Sequence, residues 1–303
     1  MEPRARQTGR RDFGFRISDF GFGIAGLCSL PGLGLLAWWL LALAPAARGG
    51  LPQPMCVYYG QALDGYGFPY RTNADVILRH GTNDIARQTI RGSLAAGVNF
   101  ALYVHLDDGR SAGSYSARAL HRGDQVTIVV RDADGEKTIM ENQAVPAVGQ
   151  PGELVFIRVT AAEDADRYGL PDPWEREIIA WSEGTLQSLT EVTPGDDFDG
   201  DGLTNGQEYL AGTFPFLDYD MFRAETISLT PNHRLCLTVL TTAGKLYSAR
   251  SATDLDSPPW DVCAFSLSDT GALRTAPVEG DGGWLSLYLP VAEPVRFFRL
   301  WVE

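Results

Sequence analysis

The residues with the clearest chemical pattern form a twelve-residue acidic segment, D-F-D-G-D-G-L-T-N-G-Q-E, which we call the downstream loop (197–208). Calcium takes six to eight oxygen ligands, and acids at positions 1, 3 and 5 of a tight loop supply them from alternate residues. A main-chain carbonyl at position 7, a polar side chain at 9 and a glutamate at 12 complete such a site, while glycine at 6 permits the turn. The predicted ligands are Asp197, Asp199, Asp201, Leu203, Asn205 and Glu208.

A weaker copy of this pattern, the upstream loop (164–175), lies earlier in the chain. Its predicted ligands are Asp164, Asp166, Leu170, Asp172 and Glu175. Tyr168 stands where the acid of position 5 is expected, so this site is predicted to bind calcium less tightly or to share an ion with neighbouring carboxylates. The same residues also make a helix start, with Asp172 as N-cap, Pro173 in the first turn and Glu175 at the capping-box position.

Helices are predicted to hold both loops in place. From the end of the upstream loop onward, apolar residues recur at i, i+4 and i+7, which is the stripe of an amphipathic helix. These residues are Trp174, Ile178 and Trp181. The downstream loop runs into a second helix, with Thr204 as the predicted N-cap, Gln207 in a capping box and Gly212 as the end signal. We therefore expect a packed helix to join the two loops.

The distribution of charge favours a cation in this part of the chain. Residues 161–220 hold fifteen of the 38 acidic residues and only two arginines. Such a concentration of negative charge repels itself in a compact state unless a cation neutralises it. The whole chain carries a net charge of -13 at pH 7, and a field of this sign repels phosphate backbones. We therefore expect no nucleic-acid partner.

Strand patterns flank the acidic segment on both sides. From 51 to 160, short runs of alternating apolar and polar residues are separated by Gly, Asn, Asp and Pro, which is the rhythm of an antiparallel sandwich. The alternation returns from 221 to 303. We predict a mainly β protein in which two antiparallel β-sandwich domains of the immunoglobulin or fibronectin kind, 51–160 and 221–303, are joined by a helical calcium-loop connector, 161–220.

The amino terminus has the pattern of an export signal. Five arginines precede an apolar run from Phe20 to Leu43, and small residues follow it. This order predicts a signal peptide over residues 1–46, or a signal anchor if the segment stays uncleaved. The remaining chain is then secreted or held in the cell envelope. Cys236 and Cys263 fall in one predicted domain and are candidates for a disulfide in an oxidising compartment.

The order of these segments resembles a known class of proteins. D-A-D-R-Y-G-L-P-D-P-W-E, a helix, D-F-D-G-D-G-L-T-N-G-Q-E-Y-L-A-G-T and a terminal β domain are similar to secreted modular bacterial proteins with thrombospondin type 3-like or dockerin-like calcium loops. The resemblance implies structural calcium between β domains at the cell surface or outside the cell. A dockerin requires two good loops and a cohesin-facing helix surface, which this sequence does not clearly provide.

The expected function is that of an exported calcium-binding structural or adhesive protein, not an enzyme, in which calcium stiffens the connector. Expected partners are calcium and surface polysaccharide or envelope proteins, with membrane contact only if the amino-terminal segment is retained. One alternative is a carbohydrate-binding module of the cell envelope, whose aromatic platform would draw on Tyr58, Tyr59, Tyr66, Tyr70 and Trp284. A second is an unrecognised hydrolase, although the G-R-S-A-G pattern at 109–113 precedes a strand rather than the helix that a nucleophile elbow requires.

Overall fold

Strands are the main secondary structure of the described chain, which also contains two short helices. The computed structural model describes residues 52–108, 115–141, 145–255, 260–291 and 297–303, all of which belong to one compact unit, Arg48–Glu303. The expected signal segment 1–46 and the G-R-S-A-G pattern lie outside the described residues. The prediction of a mainly β protein is confirmed.

Two sheets lie in the first half of the unit. One has the strand order β4-β1-β7 and the other β3-β2-β5-β6. The strands are β1 Pro52–Leu63, β2 Asp75–His80, β3 Asn83–Thr89, β4 Phe100–Asp107, β5 Thr127–Asp132, β6 Gly135–Lys137 and β7 Leu154–Thr160. Side chains from both sheets, such as Tyr58, Val76, Phe100 and Ile128, meet in one hydrophobic core. Burial alternates along β4, as the sequence pattern predicts.

The second half of the unit also contains two sheets. One sheet has the order β13-β9-β8, and in the other β10 pairs with β11, β12 and β14. The strands are β8 Thr226–Leu229, β9 Arg234–Leu240, β10 Leu246–Ala252, β11 Asp261–Cys263, β12 Val278–Glu279, β13 Trp284–Pro290 and β14 Phe297–Val302. Leu237, Ala249, Phe265 and Leu287 lie in the core that these two sheets share.

Between the two halves, the chain forms two short helices and a small core of its own. Helix α1 spans Asp172–Trp181, a single 3₁₀ turn spans Leu189–Glu191, and helix α2 spans Asn205–Ala211. The core contains Leu170, Trp174, Ile178 and Val192, with Phe198 and Tyr209 packed against it. It therefore joins residues of both acidic loops. None of the helices among the described residues is long and apolar enough to span a membrane.

The structure corrects the expectation of wholly antiparallel pairing. Strand β7 runs parallel to β1, from the Val57–Leu154 pair to the Leu63–Thr160 pair, whereas the other pairings among the named strands are antiparallel. Parallel neighbours need a long crossover. Here the connection from β1 to β7 passes through β2 and β3 of the facing sheet, β4 beside β1, and then β5 and β6 of the facing sheet.

The candidate disulfide between Cys236 and Cys263 is not formed among the described residues. Cys236 and Cys263 are buried, but no bond joins them, and the Cys263 thiol instead donates to the Ala264 carbonyl at 3.5 Å. Cys263 lies in the core beside Leu237. Cys236 is the neighbour of Leu237 on β9, and successive side chains of a strand point to opposite faces. The two sulfur atoms therefore belong to opposite sides of that sheet.

Candidate metal centre

In the downstream loop, hydrogen bonds to the main chain fold the acidic side chains inward. The Asp197 carboxylate accepts from the main-chain N–H of Gly200 at 2.8 Å and of Gly202 at 3.0 Å. Asp199 accepts from its neighbour Asp201 at 3.2 Å, and Asp201 accepts from Leu203 at 2.6 Å. As a result, carboxylate oxygens of the three aspartates lie within 4.8 Å of one another.

Helix α2 brings the last two predicted ligands to the same loop. It begins after Thr204, whose side chain accepts from Gln207, and it ends at Gly212 in the left-handed conformation at φ 77°, so the predicted caps are confirmed. Glu208 is fully buried on this helix. The Asn205 amide donates to the Thr193 carbonyl at 3.0 Å, which leaves its oxygen as the atom available to a cation.

Buried oxygen atoms without hydrogen-bond partners are concentrated in the two loops. Among the described residues, nine buried side-chain polar atoms have no partner, and seven of them are oxygens of the upstream and downstream loops. They are Asp166 Oδ2, Glu175 Oε1 and Oε2, Asp199 Oδ2, Asp201 Oδ2, Asn205 Oδ1 and Glu208 Oε2. A buried acceptor without a partner is costly, and a cation bound in each loop would give these oxygens a partner.

The upstream loop repeats the hydrogen-bond pattern of the downstream loop. The Asp164 carboxylate accepts from Arg167 N–H at 2.7 Å and Gly169 N–H at 3.1 Å, three and five residues later, as Asp197 does. Asp166 accepts from Tyr168 N–H at 3.1 Å, as Asp199 does from Asp201. Gly169 at φ 90° matches Gly202 at φ 98°, a conformation that side chains disfavour. The same turn geometry therefore supports both predicted sites.

The upstream loop differs at two of the predicted positions. Tyr168 is exposed and offers no carboxylate. The Asp172 carboxylate is buried but already accepts from Ala165 N–H at 2.7 Å and from the Arg176 guanidinium at 2.8 Å. The prediction that Asp172 caps the helix is wrong, because α1 begins at Asp172 and its N-cap is Pro171. The acceptors left for a cation are those of Asp164, Asp166 and Glu175, together with the Leu170 carbonyl.

Crowded acids in both loops resist ionisation. Burial, followed by the nearby charges of Asp199 and Asp201, raises the pKa of Glu208 to about 8. Burial, followed by the charges of Asp166 and Asp172, raises the pKa of Glu175 to about 8. Like charges and desolvation disfavour the carboxylate, whereas a divalent cation at the same place would favour it. The donor set consists of hard oxygens alone, which suits calcium.

Three contacts that the sequence patterns do not predict hold the two helices in place. The Trp174 and Tyr209 rings pack edge to face between α1 and α2. The carboxyl end of α2 is capped from the second half, since the Thr242 hydroxyl donates to the Ala211 carbonyl at 3.0 Å and the buried Lys245 ammonium donates to the Tyr209 carbonyl at 3.2 Å. Lys245 is one of only two lysines, which is the sole sequence signal for it.

The aromatic side chains considered for a sugar platform do not form one surface. Tyr58 is fully buried in the first core, where its hydroxyl donates to the Pro146 carbonyl at 2.9 Å. Tyr70 is half-buried and donates to Asp132 at 2.9 Å. Trp284 is exposed on β13 in the second half. These positions give no support to the carbohydrate-binding alternative.

Comparison with protein-family models, with curated proteins and with solved structures finds no match.

Proposed function

We propose that this chain is an exported calcium-binding protein with a structural or adhesive role, in which calcium stiffens the segment between two β domains. In this proposal the two halves are β-sandwich domains of the immunoglobulin or fibronectin kind, and 161–220 is their connector. Calcium performs no chemistry, and the protein is not an enzyme. The site is the downstream loop first, with the upstream loop as a weaker second site.

The observation that carries the proposal is the set of buried oxygens without partners. Seven such atoms lie in two loops that share one hydrogen-bond pattern. In the downstream loop they come from Asp199, Asp201, Asn205 and Glu208, four of the six positions that the spacing predicts to be ligands. A solvated acidic turn would instead expose these atoms to water, where they would need no cation.

Calcium bound in the downstream loop would stabilise both the loop and helix α2, which follows it. Without the ion, burying Glu208 beside Asp199 and Asp201 opposes folding of the loop. With the ion, the binding free energy adds to the folding free energy of the loop and of α2. Because Thr242 and Lys245 of the second half cap α2, an ordered α2 also restrains the turn between β9 and β10.

The same turn touches the first half. The Gln61 side-chain amide on β1 donates to the Gly244 carbonyl at 3.0 Å and is itself buried. A loop that is ordered by calcium is therefore linked through α2 and this turn to strands of both halves. Such a link is consistent with a load-carrying or spacing role outside the cell, where calcium is abundant. The proposed location, secreted or in the cell envelope, depends on the sequence of residues 1–46.

Calorimetric titration of the purified protein with calcium tests the proposal. We expect heat of binding and a rise in melting temperature that a chelator reverses. Asp199→Ala should abolish most of both effects, whereas Asp261→Ala, an exposed aspartate on β11, should leave them unchanged. A melting temperature of the unaltered protein that is the same in calcium and in chelator would contradict the proposal.

A further inference from the structure

A cavity of about 160 Å³ lies between the sheet β4-β1-β7, helix α2 and the turn between β9 and β10. The strand register shows which side chains of the sheet face it. Ile157 and Val159 of β7 point into the first core, and successive side chains of a strand point to opposite faces, so Arg158 points away from that core. Gln61, which is opposite Arg158 on β1, lies on the same outer face. Both residues line the cavity.

Helix α2 and the turn between β9 and β10 cover this part of the sheet. The Lys245 ammonium of the turn donates to the Tyr209 carbonyl of α2 at 3.2 Å, and the Gln61 amide donates to the Gly244 carbonyl at 3.0 Å. Gln61 and Lys245 are each only 4% exposed. Lys245 and Tyr209 line the same cavity as Arg158. A buried ammonium from the second half and a guanidinium from the first half therefore share one enclosed space.

Neither of these cations has a carboxylate partner within the part of the chain that the structure describes. No carboxylate oxygen there lies within 4.0 Å of Arg158 or Lys245. The Arg158 Nε atom is buried and has no hydrogen-bond partner. Burial lowers the pKa of Lys245, the Arg158 charge lowers it further, and the charge of Asp64 opposes both. The two cations therefore repel each other, and burying charges without a counter-charge is costly.

The carboxylates that line the cavity are engaged by other groups. The Glu141 side chain accepts from the Thr160 main-chain N–H at 2.7 Å and from the Thr160 hydroxyl at 2.8 Å. The Glu303 side chain lies 3.8 Å from the Arg250 guanidinium. Because these two negative charges stay near the cavity, they disfavour an occupant with two negative charges more than one with a single charge.

We propose that this cavity binds a small oxyanion with one negative charge between Arg158 and Lys245, and that a short-chain carboxylate of the size of acetate fits it best. The edge of a guanidinium matches the two oxygens of a carboxylate, and the remaining donors of the ammonium reach the same anion. Leu63 and Met140 also line the cavity and give the methyl group an apolar contact. A cavity of this volume holds several water molecules, so it has room for the four non-hydrogen atoms of acetate.

Such an anion would join the two halves of the unit at a place separate from the calcium loops. Arg158 belongs to β7 of the first half, and Lys245 belongs to the turn before β10 of the second half. An anion between them replaces the repulsion of two cations with two attractions. The oxyanion site requires no calcium, so it can fail or succeed independently of the proposed function.

Nuclear magnetic resonance of the purified protein, labelled with ¹³C at the lysine Cε atoms, tests the inference. The chain has two lysines, so two signals are expected, and Lys137→Met assigns them. Sodium acetate should shift the Lys245 signal along a saturating curve and raise the pKa of Lys245 toward its ordinary value, because an anion favours the ammonium. Sodium phosphate is the second probe and should bind more weakly, and sodium chloride at the same ionic strength controls for screening.

A pair of arginine substitutions supplies the control. Arg158→Gln should weaken acetate binding about tenfold or more, and without acetate it should itself raise the pKa of Lys245. Arg118→Gln removes the same charge from an exposed position outside the cavity and should change neither value. Melting temperatures without acetate show whether both variants fold. Should Arg158→Gln melt lower, Arg158→Lys keeps the positive charge and should lose less acetate affinity than Arg158→Gln.

Three results would overturn the inference. One is a Lys245 signal that responds to acetate and phosphate no more than to chloride, as expected if water alone fills the cavity. Another is saturation by phosphate but not by acetate, which would contradict the carboxylate. The third is equal acetate affinity in Arg158→Gln and in the unaltered protein. If calcium still raises the melting temperature in these cases, the proposed function stays intact.

Discussion

The indole of Trp174 meets the ring of Tyr209 edge to face, with 5.7 Å between the centroids and 76° between the planes. Trp174 lies in the last part of the upstream loop, on α1, and Tyr209 directly follows the downstream loop, on α2. Each ring is adjacent to the glutamate that closes its loop, Glu175 or Glu208. The pair therefore joins the helices on which the two proposed calcium sites depend, and it packs against the small core of Leu170, Ile178 and Val192.

Glu208→Gln should lower the melting temperature in calcium but not in chelator. The substitution removes a fully buried carboxylate whose neighbours repel it, so in chelator the melting temperature should equal or exceed that of the unaltered protein. In calcium the variant should melt lower and bind the downstream ion at least about tenfold more weakly, since even groups behind the ligands change metal affinity 10- to 100-fold. Calorimetry and thermal melts measure both.

The control for this substitution is Glu177→Gln on the exposed face of α1. It should change neither the affinity nor the calcium-induced rise in melting temperature. A Glu208→Gln variant that binds calcium as tightly as the unaltered protein would remove Glu208 from the ligand set.

Tyr168→Asp should strengthen the upstream site. It restores an acid at position 5, and Tyr168 is 47% exposed, so little packing is lost. The main-chain hydrogen bond from residue 168 to Asp166 does not involve the side chain and should persist. The measurement is a calcium titration followed at both sites. Tyr219→Asp is the control, since it adds the same charge at a tyrosine that is 72% exposed, and it should leave the calcium affinity unchanged. An equal gain in calcium affinity in both variants would show that the added charge acts at long range and not as a ligand.

Gly202→Ala should destabilise the protein through its backbone alone. Gly202 has φ 98°, and no atom lies within 4 Å of the position that a Cβ would take. The expected cost is about 1–3 kcal/mol of backbone strain. Gly195→Ala, in the same segment, also meets open space but has an ordinary φ. Chemical denaturation should separate the two variants, and equal stability would show that the turn does not need the left-handed conformation.

The buried Lys245 should make the free energy of unfolding depend on pH in the alkaline range. Burial, followed by the charge of Arg158, lowers the pKa of its ammonium to about 8, against 10.5 for an ordinary lysine. Between these values the unfolded chain binds more protons than the folded one, so this group adds stability as the pH rises from 8 to 10.5. Relative to Lys245→Met, the unaltered protein should gain about 3 kcal/mol over this range.

Urea denaturation of both proteins at several pH values measures this difference. The calcium concentration should be the same in all of these samples, so that calcium binding does not contribute to the change of stability with pH. Lys137→Met, the only other lysine substitution, serves as the control because Lys137 lies on the surface near Asp132 and Asp134. A pH-independent difference for Lys245→Met would show that the ammonium remains ordinary in the fold.

Local patterns predicted the turns of both loops, the two caps of α2 and most strands. The turns around Asp164 and Asp197 form between residues at most five apart, and the Thr204 cap spans three, so short-range hydrogen bonding is enough to specify them. The alternation along β4 likewise needs only one strand and one buried face. The cap of α1 was placed one residue late because the buried Asp172 carboxylate bonds to Ala165 and Arg176 instead.

The sequence by itself therefore determined which residues turn, which alternate and which three aspartates of the downstream loop lie close together. Only the tertiary structure decided that β7 runs parallel to β1, that Cys236 and Cys263 lie on opposite sides of a sheet, and that Lys245 caps α2. The physical reason is that these features balance burial, charge and chain crossover among residues far apart in sequence, and no local propensity records that balance.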